Sequence, residues 1–595
     1  MAIDIGIESG YRYGVMQMLP VTHGQDLLRP EEDLAHITYN IKIGKNPLRE
    51  IRWASGSKNY FGGIFGRDTA MMIQHEVDHD PKFAREALLV LASLQGIEFN
   101  AKSEEEPGKI LHELRSTDFP GVEINDTTRA EIAHLGPLFG GDKNGFEAYT
   151  SADATGEWIK GAFYYIKKTG KVDILDEKVC DKNGNEKTFR DCLIAGANWM
   201  NDTINYGPLH FNRDRSPLSA DAPHLLGWRS ITGNFINQQL CDSIEANHFP
   251  DGSLVNPNGT QYNTGMQGVA YDGLMSMAMA KEFQDNPQSI TWCSTAERLR
   301  EDTMKYLLVP ESNLFGMGAD THPVTGEIRR VDTKSITVAD TLGSRLLKDG
   351  TNPQQFKTIV ESHVREFFGP NFWTLYGTRS ESLECWDLFQ GVKSNGEPAI
   401  LSGYHLAQSK WDVLNGKFAN ALMKLHMPHL AQAIDDSNHN GNAIAGCHLE
   451  LMYVGQNDEL GIDTDGTWAG KKSPYTLYPT NEPEDIHGWT VTNENAQIQR
   501  RTERERFASQ STSWEYLLEQ EILLRLNSID KLPVRLETPE QIHAARAKVV
   551  LIQLNPKEGR HVQETWLKRM GRWNPSELSA VSQQVEALGH EVPVG

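Results

Sequence analysis

Several things are scarce in this sequence, and each scarcity excludes something. Six cysteines in 595 residues, at 180, 192, 241, 293, 385 and 447, are too scattered for a disulfide framework, and no pair has zinc spacing. A reducing, cytoplasmic setting is therefore the expectation. No apolar run approaches the roughly 18 residues of a membrane span. The N-terminal stretch MAIDIGIESGYRYGVMQML lacks the basic start and continuous apolar core of a signal peptide. Basic charge is in deficit, with 58 Lys and Arg against 80 Asp and Glu and a net charge of −22. That argues against nucleic acid as a partner and suits a neutral or cationic small ligand. Phosphate-binding glycine patterns are missing too. NYFGGIFG (59–66) has the glycines but no preceding strand, and DKNGNEKTF (181–189) has its Gly misplaced for an EF-hand, so it reads as a turn. No cofactor and no metal are expected.

What is present is a soluble, core-forming composition: 39% apolar, 23% charged, with 13 Trp and 17 Tyr. Flat amphipathic rings serve carbohydrate sites, and large helical cores as well. Helical patterns dominate from residue 68 onward. In DHDPKFAREALLVLASLQG (78–96), Asp80 is placed as N-cap, Pro81 at the first helical position, and Phe83, Ala87 and Leu91 share a face, with Gly96 as a stop. Similar patterns cover 150–170, 189–205, 264–283, 290–308, 352–368, 415–434 and 509–526. Several are apolar nearly all round and should be packed on both sides. Strand signals are sparse: the N-terminal stretch, and RRVDTKSITV (329–338) as a small hairpin. Long polar loops at 100–150, 205–233, 247–264, 310–340 and 456–490 separate the helices, and long loops on a helical frame usually carry function. The rhythm of helix, loop and helix fits stacked hairpins closing into a toroid better than a sheet fold.

Three stretches concentrate polar residues. In NYFGGIFGRDTAMM (59–72), the pair Arg67–Asp68 stands between a Gly-rich loop and an apolar helix, flanked by Phe61 and Phe65. A surface ion pair there would contribute only about 0–1 kcal/mol; a pair aimed into a cavity could offer a fork of donors and two acceptor oxygens. Asp68 could instead cap a helix beginning at Thr69. PGKILHELR (107–115) packs Lys109, His112, Glu113 and Arg115 after a Pro-Gly turn, and without the second His of a zinc helix it reads as a polar loop. In YTSADATGEWI (149–159), Asp153 could cap the helix from Ala154 or face a ligand.

Taken in order, these three landmarks resemble the amylo-α-1,6-glucosidase-type, glycogen-debranching-like glycoside hydrolases over residues 50–165, with weaker similarity to about 530. The resemblance implies an all-α fold, an (α/α)6 barrel, and an inverting hydrolase of an α-glucosidic bond. It implies a carbohydrate substrate, with neither nucleic acid nor membrane as partner and an undetermined oligomeric state. The expected organisation is an N-terminal extension (1–40), the barrel (41–535) and a helical C-terminal extension (536–595), without the N-terminal β-sandwich common in such proteins. Arg67, Asp68 and Phe65, with the loop bearing Lys109, His112, Glu113 and Arg115, and Asp153, would line the first sugar subsite.

Inversion needs two carboxyls roughly 6.5–9.5 Å apart, one protonating the leaving oxygen and one activating water. The acid must hold its proton near neutral pH through burial or a neighbouring charge. FINQQLCDSIEANHFPDG (235–252) resembles the family's acid-bearing stretch and places Asp242 as general acid, with Glu245 as rival. Leu240 and Cys241 replace the family's Trp-Lys pair, which bears on the leaving-group side. WTVTNENAQIQ (489–499) places Glu494 as general base, with Glu381 and Glu384 as rivals. Arg379, in a stretch resembling the family's G-x-R-T loop, is expected to line the site. So are His405 and Trp411 in GYHLAQSKWDVLN (403–415), where the family's Gly and Pro-His are lost and a residue is added. Gln267 and Tyr271 match a helix whose polar face points into the barrel. A short oligosaccharide or small glucoside is the expected substrate. The alternatives are a related hydrolase for another α-linked hexose such as mannose, or a barrel that binds sugar without cleaving it.

Overall fold

The computed structural model describes residues 63–77, 80–118, 135–208, 260–321, 327–374, 377–385 and 409–425, parts of 38–52 and 214–227, and short stretches as far as 472. The described part is helix-rich, with ten helices of interest here. These are α1 (Gly66–Glu76), α2 (Pro81–Ser93), α3 (Ala154–Thr169), α4 (Phe189–Tyr206), α5 (Thr264–Met279), α6 (Gln288–Tyr306), α7 (Ala339–Gly343), α8 (Arg345–Lys348), α9 (Pro353–Phe367) and α10 (Asp412–Lys424).

Local chemistry sets their ends. Asp80 accepts from the Phe83 N–H at 3.0 Å and Pro81 opens α2, as the sequence implies; the helix stops at Ser93, short of Gly96. Thr188 and Asp191 form a reciprocal capping box at α4. Gly170, in the left-handed region at φ 69°, closes α3. Two expectations fail. The first helix begins at Gly66, so Asp68 lies inside its first turn and does not cap it. The helix expected over 415–434 starts at Asp412 and ends at Lys424, and residues 430, 431, 433 and 434 are helical again only after a break.

The helices pack in two rows. An inner row runs α1, α3, α5, α7, α10, each against the next; in an outer row, α2 and α4 each lie across the inner pair beside them, and α6 packs on α5 and α4. Trp158, Phe189, Trp292, Ala197 and Leu274 are fully buried between the rows. Glycines let the inner helices touch: a Cβ at Gly156 would lie 2.8 Å from Val269 Cγ1, and one at Gly268 2.6 Å from Thr341 Cα.

Strands are more numerous than the sequence reading allows, but short. Most of the inner helices follow one directly. β1 (Thr38–Ile41) pairs with β2 (Arg49–Arg52); β3 (Gly63–Phe65), β4 (Glu113–Ser116) and β5 (Gly145–Ala148) form one antiparallel sheet. β6 (Lys178–Cys180) and β7 (Glu186–Thr188) make a hairpin whose turn Asp181 closes, accepting from the N–H groups of Asn183 and Asn185, both at 2.9 Å. β8 (Gln261–Asn263), β9 (Leu308–Val309), β10 (Leu314–Phe315), β11 (Gly318–Thr321) and β12 (Ile328–Val331) follow. The expected 329–338 hairpin is not formed: β12 pairs upstream with β11, which pairs with β8, and 336–338 is a 3-10 turn. No helix among the described residues is long and apolar enough to cross a membrane.

Candidate active site

The β3–β4–β5 sheet brings the three sequence landmarks to one place. Register sets Phe65 opposite Glu113, Gly63 opposite Arg115, and Glu113 opposite Ala148. Glu113 and Arg115, two apart on β4, share a face. Immediately past β3 the Gly66 N–H donates to the His112 carbonyl at 2.8 Å, and at the end of β5 the Ala148 carbonyl accepts from the His112 N–H at 2.7 Å. A side chain at residue 66 has no room, since its Cβ would lie 1.9 Å from the Leu111 oxygen. Glycine there lets the Arg67–Asp68 turn press against the His112 strand.

PGKILHELR is not a solvated loop, as its residues alone would imply. Gly108 sits at φ +90°, with Gly96 and residues 108–109 exchanging backbone hydrogen bonds at 2.8 Å each. Upstream, Glu105 accepts from the Ile97 N–H at 2.8 Å and from Lys182, reaching in from the β6–β7 turn, at 2.5 Å. Trp199 donates to Glu106 at 2.9 Å while the Lys109 ammonium lies 5.5 Å from the Trp199 ring centre. The Ile110 N–H donates to Thr155 Oγ1 on α3 at 2.9 Å. The segment is nailed down at every second or third residue.

Arg67 and Asp153 meet across the α1–α3 junction, Nη1 to Oδ2 at 3.5 Å, with both side chains buried. Asp153 occupies the N-cap position of α3, yet its carboxylate makes no cap; Ser151 Oγ donates to Asp153 Oδ1 at 2.5 Å and itself accepts from the Ala154 N–H at 3.3 Å. The serine thus takes over the capping and leaves the aspartate aimed at Arg67. Arg115 Nη1 lies 3.5 Å from Glu113 Oε2.

Electrostatics follow from burial. Burial pushes the Asp68 carboxyl above its ordinary range; Arg67 and Lys417 oppose that and Asp153 adds to it. His112 is pushed down to about 3, by burial first and then by Arg67 and Lys109, with Asp153 opposing. Its imidazole is neutral at any ordinary pH. Buried in this one neighbourhood are three cationic side chains, Arg67, Lys109 and Arg115, and three acidic ones, Asp68, Asp153 and Glu113. Balanced charge with alternating donors and acceptors matches a neutral polyol, whose hydroxyls both give and take hydrogen bonds. Phe65 is part-buried at the end of β3.

Other expected residues divide. Trp411 is buried (1% exposed) at the start of α10, and Arg379 (1%) directly follows the short strand Gly377–Thr378; Asn415 links the two segments, donating to the Trp411 carbonyl at 3.2 Å and the Thr378 carbonyl at 2.8 Å. Glu381 is buried in a bridge with Ser335, and Glu384 is exposed beside Lys334. Gln267 gives its amide to backbone, with Oε1 accepting from the Leu226 N–H at 2.8 Å and Nε2 donating to the Leu226 and Asn263 carbonyls. The Tyr271 hydroxyl donates to Asp349 at 3.1 Å. These two hold neighbouring segments and are not directed at the Arg67–Asp153 pair. Asp242, Glu245, Glu494 and His405 lie outside the described residues.

Sequence reasoning missed Lys417, Asp340 and Glu157, a buried charged group that adjoins this cluster. Their signal was a lone charge in an apolar helical run, as in VLNGKFANALM (413–423) and ATGEWI (154–159). Among the described residues no group of His, Cys, Asp and Glu could hold a metal ion, and Cys180, Cys192, Cys293 and Cys385 are free thiols.

No protein-family model matches the chain, and no curated protein matches it in sequence. Solved structures give faint likenesses. Neutral trehalase Nth1 from Saccharomyces cerevisiae aligns over 89% of this chain and 82% of its own, at 14% identity and a TM-score of 0.37. A metal-independent α-mannosidase from Streptococcus pneumoniae, in complex with α-1,6-mannobiose, aligns over 89% and 100%, at 11% identity and 0.38. The GH63 mannosylglycerate hydrolase from Thermus thermophilus aligns over 65% and 88%, at 13% identity and 0.31. None of these three is described as a debranching enzyme, and a TM-score this low does not by itself establish a shared fold.

Proposed function

We propose that this chain is an inverting glycoside hydrolase of the (α/α)6-barrel kind, cleaving an α-glucosidic bond in a short oligosaccharide or small glucoside. The observation that carries this is the convergence of three separated landmarks, Arg67–Asp68, the 109–115 segment and Asp153, in one buried, charge-balanced cluster at the first turns of α1 and α3. The inner and outer helix rows support the barrel reading. In this account Arg67, Asp68 and Asp153 grip the hydroxyls of the terminal sugar, and Trp411 and Arg379 complete the wall. Asp242 protonates the leaving oxygen and Glu494 activates water, roles that rest on sequence resemblance. The neutral His112 adds a hydrogen-bonding group without adding charge.

Reducing-sugar release from a panel of α-linked glucosides and mannosides, by wild type and by Asp242→Asn, tests the proposal. Hydrolysis that the substitution abolishes supports it. Sugar binding without hydrolysis by wild type would instead make this a binding protein.

A further inference from the structure

The interior adjoining the pocket carries charge where apolar packing would serve. Lys417, in the second turn of α10, is only 6% exposed; its Nζ lies 2.6 Å from Asp340 Oδ2 on α7 and 3.9 Å from Glu157 Oε1 on α3. Glu157, 2% exposed, also accepts from Lys160 at 2.9 Å and from Gln74 on α1 at 3.0 Å. Around the inner row, α10 touches α7, α7 touches α5, and α5 touches α3. The Lys417–Glu157 contact therefore runs as a chord across that row, joining helices that two others separate. Asp68 and Asp153 lie within electrostatic reach of the ammonium, and Asp153 stands one turn ahead of Glu157 at the start of α3. Replacing a buried ion pair with hydrophobic residues is often neutral or stabilising, so such a lysine is weakly explained by stability alone.

We propose that Lys417 is a positioning residue of the sugar pocket: bound to Asp340 on α7 and to Glu157, one turn past Asp153 on α3, its ammonium locks the first turn of α3, and Asp153 with it, against the second turn of α10. It touches no substrate, and its role as part of a sugar pocket rests on the function proposed above. The charged groups around it are Arg67 and Asp68 from α1, Asp153, Glu157 and Lys160 from α3, Asp272 from α5 and Asp340 from α7, with Lys109 and His112 neighbouring Arg67 and Asp153. Without Lys417, the four carboxylates Asp68, Asp153, Glu157 and Asp340 share Arg67 and Lys160, and like-charge crowding follows.

The test compares Lys417→Met and Lys417→Arg with wild type, using 4-nitrophenyl α-D-glucopyranoside and 4-nitrophenyl α-D-mannopyranoside as probes and circular dichroism to confirm folding. The expected result for folded Lys417→Met is a KM raised at least tenfold with kcat within threefold, and recovery of KM to within threefold in Lys417→Arg. An unchanged KM in folded Lys417→Met, or an arginine variant no better than the methionine one, overturns the inference. Should Lys417→Met fail to fold, Asp340→Asn carries the test: a KM raised three- to tenfold supports the inference and an unchanged one overturns it. Should wild type cleave neither probe, the proposed function fails for these sugars. The inference is then decided by the carboxyl titration of 13C-aspartate-labelled protein. Pocket midpoints that move up by about one pH unit or more in Lys417→Met, or in Asp340→Asn where the former does not fold, support it; midpoints that stay put overturn it.

Discussion

Asp153→Asn isolates the charge at the centre of the pocket. The amide keeps the shape of the side chain and an oxygen to accept from Ser151, so the variant removes one negative charge and little else. At the observed 3.5 Å between Arg67 and Asp153, two unit charges attract by about 5 kcal/mol at an effective dielectric constant of about 20. Arg67 is not stranded, because the neighbouring Asp68 carboxylate remains. The loss should therefore fall below the roughly 3–5 kcal/mol seen when a buried pair is broken outright, at about 2–3 kcal/mol. Asp68 also loses a like-charged neighbour, so its raised carboxyl pKa moves back toward the ordinary range. The assay is urea unfolding at pH 7 followed by tryptophan fluorescence, where the midpoint should fall with the slope unchanged. A loss under about 0.5 kcal/mol, the range of an exposed pair, would refute the buried-pocket reasoning.

Three further outcomes are expected. Burial holds His363 down to about 4, against about 6.5 unfolded; the unfolded chain binds the extra proton first, so stability falls as pH drops from 6.5 to 4, by about 3 kcal/mol for this group. Denaturant titrations across that window should show the slope shrink in His363→Gln. Gly108→Ala puts a Cβ 2.3 Å from the Ala195 oxygen at a backbone φ of +90°, and should cost about 2 kcal/mol or more. Thermal melts, together with faster proteolysis within 97–115, would register it. Asp242→Asn and Glu494→Gln should each lower kcat by roughly 10²–10⁴-fold while leaving KM nearly unchanged, read by steady-state kinetics on whichever α-glucoside wild type cleaves.

The helices were legible because their signals are local. Asp80 with Pro81, the long apolar stripes and Gly170 each act within a turn or two of themselves. The short strands were not, since a three-residue strand such as β3 has too few positions to show a period, and its partner β4 lies about fifty residues on. The expected 329–338 hairpin gives way to pairing of β12 with β11 just upstream, which in turn pairs with the distant β8. In the site, the three landmark stretches were legible as polar clusters, but their use was not. Asp68 and Asp153 could each cap a helix or face a ligand, and only the structure shows Ser151 capping α3 in place of Asp153. The Lys417–Glu157–Asp340 group was invisible for a further reason: each member is a single charge in an apolar run, and what makes it a cluster is a contact between helices far apart in sequence.

The most direct measurement is proton NMR of the anomeric region during the first minutes of hydrolysis of an α-glucoside, before mutarotation mixes the products. An inverting site built on the pocket described above releases β-glucose first; release of α-glucose first, or no release from any α-linked hexoside, would contradict it.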